Sequence, residues 1–175
     1  MIRIGIISPF HKENIRRCLK SVLRECASVS KSADDDTLCA LEMSGVSFCI
    51  LDLEKNSCFV DILILDTNDA ALINKSLRAV VPDTRLVYNF DKCPEIHHPY
   101  AVSYGFSRSA TATISSVNEH SFLMCLHSVI RLDNSVAEDC EYMVYCDDES
   151  IYDALCAVAC GALCNTIEHE APTII

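Results

Sequence analysis

Apolar and polar positions alternate along the chain in blocks of two periods. Residues 2–8 (IRIGIIS) form a short apolar run that predicts a buried strand. Residues 12–26 switch to helical spacing. Ile15, Cys18, Leu19, Val22 and Cys26 fall on one face, and Arg16, Lys20 and Arg24 line another. The polar stretch SVSKSADDDT (28–37) predicts an exposed loop. VSFCILDL (46–53) and FVDILILD (59–66) are apolar and β-branched, hence strands, with a hairpin-type connection or a loop between them. Residues 69–80 suit a helix that ends before Pro82.

The second half is richer in strands. TRLVYNF (84–90) predicts one, and the Pro/His-rich DKCPEIHHP (91–99) a loop. Three strand-like runs follow, AVSYGF, TATISSV and the long SFLMCLHSVIRL, with EYMVYC (141–146) as one more. Asp147, Asp148 and Glu149 then open a helix to about Asn165, acidic where the helix dipole favours negative charge. Between Ala154 and Leu163 it is apolar on nearly every side, which predicts burial or an oligomer contact. Helices and strands alternate first, and strands in series follow. The expected fold class is α/β: a three-layer sandwich with a mainly parallel sheet plus a smaller antiparallel part. The expected organisation is a single domain over 1–175.

Composition narrows the classes of function. Net charge is −11, but residues 1–31 carry seven Lys/Arg against two Glu, a net of +5, which leaves −16 for the rest. An acidic body argues against nucleic acid as a partner. The basic patch suits a solvated helix face, an acidic partner or the acidic part of the same chain. No apolar run is long enough for a membrane span, and the first residues lack the layout of an export signal, so a cytoplasmic protein is expected. Twelve cysteines are present, none in a C-x-x-C pair, and most sit in apolar segments. Reduced, buried thiols are the expected state. Cys156, Cys160 and Cys164 form an i, i+4, i+8 stripe whose ends lie ~12 Å apart on a helix, too far to share one metal ion.

The candidate chemistry lies in IGIISPFHKEN (4–14). A strand, a turn, a lysine and a helix are the order of a phosphate-binding loop, in which bare glycine backbone wraps the phosphates and a following Ser/Thr holds magnesium. Here Ser8 and His11 stand at the glycine positions, Pro9 removes an N–H donor, Lys12 holds the lysine position, and Glu13 replaces the Ser/Thr. The four glycines of the chain all lie outside the loop. A carboxylate at Glu13 would repel phosphate oxygens.

Further stretches resemble the central, ATP-binding domain of the Mur ligase family, which includes folylpolyglutamate synthase. IGIISPFHKEN aligns with its G-T-x-G-K-[ST] loop, lysine on lysine. LEMSG supplies Glu42 and Ser44 where the family has E-x-S, whose Glu helps hold magnesium. VDILILDTND gives Thr67 and Asn68 for its Thr-Asn, but no Asp-His follows. LVYNFDKCP (86–94) is similar to its Asn-Asp-Asp-like turn, and AVSYGFSRSATATISSV (101–117) to its Y-G-x stretch. ESIYDALCAVA (149–159) has the shape of its H-N-x-x-N-A-x-A-A helix entry. There Glu149 and Ser150 replace the His and first Asn, and Asp153 replaces the adenine-contacting Asn, losing an amide donor.

The resemblance implies the family scaffold without its N- and C-terminal domains, and the departures imply that ATP and magnesium chemistry is lost. The expectation is a pseudoenzyme: a non-catalytic, stand-alone relative with an interaction or regulatory role linked to cell-wall synthesis, acting on a protein partner or as a homo-oligomer, with no cofactor. The alternatives are an anion- or nucleotide-binding module that keeps ATP/Mg, and one subunit of a split ATP-dependent ligase. Glu42 alone makes a poor magnesium site. His97 and His98 suit a polar surface loop, Ser107 and Ser109 lack a nucleophile-elbow pattern, and no Cys/His pair stands out as a nucleophile and its base.

Overall fold

Ile4, Ile6 and Ile7 are buried in an extended segment with another apolar strand on either side. The computed structural model describes residues 1–24, 27–28, 37–43, 46–53, 59–78, 80–93, 96–146, 151–166 and 173–174. In chain order the elements are β1 (Ile2–Ile7), α1 (Lys12–Arg24), β2 (Ala27–Ser28), β3 (Thr37–Met43), β4 (Val46–Asp52) and β5 (Ile62–Leu65). Next come α2 (Ala70–Arg78), β6 (Arg85–Asn89), β7 (Ala101–Tyr104), β8 (Ala112–Val117) and β9 (Ser121–Leu126). Last are β10 (Val129–Ile130), β11 (Val136–Ala137), β12 (Cys140–Cys146), α3 (Ile151–Leu163) and β13 (Thr173–Ile174).

The main sheet has the order β13-β12-β9-β8-β7-β6-β5-β1-β4-β3-β2. Its centre, β4-β1-β5-β6-β7-β8, is parallel throughout. Antiparallel pairs extend it on both sides, through β9 and β12 at one end and β3 and β2 at the other. A separate hairpin joins β10 to β11. The fold class is therefore the expected one, a mainly parallel α/β sheet with smaller antiparallel parts.

Alternation along the central strands sorts side chains to two faces. Ile4, Ile6, Ile62, Ile64, Val87 and Tyr104 pack with α1 and α3, while Ile7, Leu63, Leu65, Leu86 and Tyr88 pack with Leu72, Ile73 and Leu77 of α2. Helices thus cover both faces. On α1, Ile15, Cys18, Leu19 and Val22 are buried as their spacing predicts; Cys26 lies outside the described residues. Every residue of α3 from Asp153 to Leu163 is buried. Past its end, Asn165 adopts φ 56° and Thr166 N–H donates to Gly161 O at 3.1 Å, closing the last turn.

Four expectations about elements change. Of the hairpin or loop expected between residues 46–53 and 59–66, the hairpin is excluded, because β1 lies between β4 and β5 and pairs with both; residues 54–58 lie outside the described residues. The long run at 121–132 breaks into β9 and β10, and at the break Ser128 donates its N–H and its hydroxyl to Asp139 Oδ1, both at 2.7 Å. β3 and β13 were not anticipated, since TLCALEM mixes polar and apolar residues and β13 has two. Of the loop expected over 28–37, Ser28 and Thr37 belong to strands, and residues 29–36 lie outside the described residues. The acidic entry at 147–150 does too. Among the described residues no helix is long and apolar enough to cross a membrane.

Candidate functional site

In parallel sheets ligands meet the protein outside the carboxyl ends of the strands. At that edge four turns converge: residues 8–11 after β1, 66–69 after β5, 89–93 at the end of β6, and 105–110 after β7. The first turn of α3 packs beside them through Tyr152 and Asp153.

Asp66 is the hub. It is 3% exposed, placed just past the buried run ILIL of β5. Ser8 Oγ donates to its Oδ2 at 3.0 Å, and Asn89 Nδ2 donates to its Oδ1 at 2.9 Å. Lys92 Nζ contacts both oxygens, at 2.8 and 3.0 Å. Burial pushes the Asp66 carboxyl up, but Lys92, Asn89 and Ser8 outweigh it and hold the carboxyl below its ordinary range. Both neutral donors are themselves oriented. Ser8 Oγ accepts His11 N–H at 3.1 Å, and Asn89 Oδ1 accepts the N–H groups of Asp91 and Lys92 at 3.1 and 3.3 Å.

Asp91 ties the outer edge. Its Oδ2 accepts Phe106 N–H at 2.7 Å and the Tyr152 hydroxyl at 2.9 Å. Burial, then the Asp91 contact, push the Tyr152 hydroxyl up to about 12. Gly105 lets this carboxylate approach, since a Cβ there would stand 2.5 Å from Asp91 Oδ2. The Phe106 and Tyr152 rings meet edge to face, 4.7 Å between centroids.

The residues singled out in the sequence divide between these contacts and the surface. Ser8 is fully buried and engaged with Asp66; Pro9 is exposed. His11 precedes α1, and its Nδ1 lies 3.5 Å from Asp153 Oδ2. Asp153 is 2% exposed and its carboxyl is raised, by burial first and by the nearby Asp66 charge, with His11 and Asn14 pulling the other way. Lys12 opens α1 and is partly buried. Glu13 departs from the expectation: it pairs with Arg16 one helical turn on and is 62% exposed. The carboxylates beside the loop are instead Asp66 and Asp153.

Glu42 also departs. Its backbone pairs with Ser47 at the start of β4, whereas Ser8 follows the end of β1, and β4 and β1 are parallel in register Ile2↔Phe48. That places Glu42 at the opposite end of the strands, about 23 Å along them from Ser8 at ~3.3 Å per residue. Ser44, Glu149 and Ser150 lie outside the described residues. His97 is exposed, and His98 sits beside Tyr100, whose ring lies 4.1 Å from the Arg85 guanidinium.

Asp66, Asn89 as a donor, Lys92, Asp91 and Tyr152 were not singled out in the sequence. The signal for the first two was local: an apolar strand closed by one polar residue, ILIL-Asp and RLVY-Asn. As for nucleophiles, burial raises the thiols of Cys93 and Cys156 and lifts that of Cys18 to about 12, so these sulfurs stay protonated. What the Asp66 cluster offers chemically is the Lys92 ammonium and two oriented donors, Ser8 Oγ and Asn89 Nδ2, all turned on an internal carboxylate.

No protein-family model and no curated protein matches the chain. Among solved structures it is similar to MurF ligase from Thermotoga maritima in complex with ADP, with 13% identity and a TM-score of 0.52. The match covers 99% of this chain and 47% of that one, so the chain spans about half the length of the ligase. At such identity the likeness is one of fold: a Mur-ligase-like α/β sheet with helices on both faces.

Proposed function

We propose that this chain is a non-catalytic protein on a Mur-ligase-like scaffold, acting by interaction or regulation rather than by ATP-dependent ligation. One observation carries the reading: the donors at the crevice that suit an oxyanion, Lys92 Nζ, Asn89 Nδ2 and Ser8 Oγ, are bonded to Asp66. A phosphate entering there would meet a buried, ionised carboxylate. Two like charges ~4 Å apart cost about 4 kcal/mol at an effective dielectric of ~20. Asp153 adds a second acidic group beside the turn before α1, where a phosphate-binding loop presents bare N–H groups. The degenerate loop and its kinship with the family's central domain belong to this reading, as does a cytoplasmic role beside cell-wall synthesis with a protein partner or a second copy. That setting rests on the likeness to a Mur ligase alone.

The test is thermal denaturation of the purified protein with millimolar Mg-ATP, together with a hydrolysis assay. The expected result is an unchanged melting temperature and no turnover. Stabilisation by Mg-ATP, or hydrolysis that Lys12→Ala abolishes, would overturn the proposal.

A further inference from the structure

We propose that Asp66 is the built-in occupant of an oxyanion pocket formed by Ser8, Asn89 and Lys92, and that its carboxylate keeps a free anion out of that pocket. The argument rests on how the pocket's donors are held. They come from two separate segments: Ser8 after β1, and Asn89 with Lys92 at the end of β6 and the turn beyond. Neither neutral donor needs Asp66 for its orientation. Ser8 Oγ also accepts the His11 N–H, which holds the oxygen in place at the edge of the pocket. Asn89 Oδ1 accepts two backbone N–H groups of the following turn, which fixes its amide with Nδ2 toward the pocket. Lys92 closes the third side, and its side chain is 35% exposed, so the ammonium reaches from solvent to the buried carboxylate.

Removing the Asp66 carboxylate therefore leaves two preset donors and a cation around a space the size of a carboxylate group. Preset donors bind without reorganising, which is what makes an oxyanion site effective. The ligand class is a small oxyanion bearing two acceptor oxygens. The fold carries this site self-liganded, and one residue decides whether it is open. The inference rests on the reading that the crevice holds no nucleotide, and it is tested separately from it.

The test is Asp66→Ala with formate, the isostere of the group removed. The melting temperature of the variant is expected to rise saturably with formate. At equal ionic strength formate should act at roughly tenfold lower concentration than chloride. Wild type should show no such preference, and Lys92→Met in the Asp66→Ala background should abolish it. Should the variant be unfolded in chloride, recovery of its circular dichroism in formate is the same measurement. Equal responses to formate and chloride, or no recovery in formate, would overturn the inference. Mg-ATP stabilisation of wild type would sink the proposed function and leave the formate series to judge the pocket.

Discussion

Lys92 and Asp66 form one charge balance with unequal access to water. Replacing Lys92 by Met leaves a carboxylate that is 3% exposed without its cation. Stranding a buried charge costs 3–5 kcal/mol, and because the lysine is a third exposed, solvent makes up part of the loss. We expect Lys92→Met to lose about 2 kcal/mol in urea unfolding at pH 7. The sign with pH follows from the depressed Asp66 carboxyl. Its contribution is complete above the ordinary carboxylate range and is lost as pH falls through the depressed value, so the gap should close as pH drops below about 4. Asp153 runs the other way. Its carboxyl is raised, so its share of stability is complete below the ordinary range and is lost as pH rises through the raised value. Asp153→Asn should melt above wild type at pH 8, and that advantage should vanish toward pH 4. An advantage independent of pH would contradict the assignment.

Among elements, α2 is capped by a side chain at its start. It has nine residues and covers one face of the sheet, and Asp69 Oδ1 accepts the N–H groups of Ala71 and Leu72 at 2.8 and 3.2 Å. Asp69→Ala should cost about 1 kcal/mol in chemical denaturation, with a change near zero counting against the cap. Elements of this kind were legible because their signals are local. The apolar stripe of α1 and the stop before Pro82 after α2 each act within a few residues. Pairing was less legible: ILIL and VSFCILD announce strands, but nothing within either says that β1 will lie between them. β3 escaped notice for a related reason. Thr37 to Met43 lacks clean alternation, and its pairing with β4 across residues 44–45 is what makes it a strand.

At the scale of the molecule, the crevice was half legible. Ser8 and His11 could be picked out from the order of strand, turn and lysine, and Asp153 from the resemblance of its helix to the family's entry motif. The contacts that define the site could not: Asp66 and Lys92 are 26 residues apart, and Asp91 and Tyr152 are 61 apart. Only the parallel order of the strands, which sends every carboxyl end to one edge, brings them together. The same order has a consequence for synthesis. β1 is synthesised before both of its partners yet belongs in the middle of the sheet, where Ile4 pairs with Ile50 on one flank and Ile62 on the other. Until both have emerged, β1 lacks its two neighbours, and the sheet closes only through contacts distant along the chain, the kind that slows folding and leaves strand edges open in the meantime.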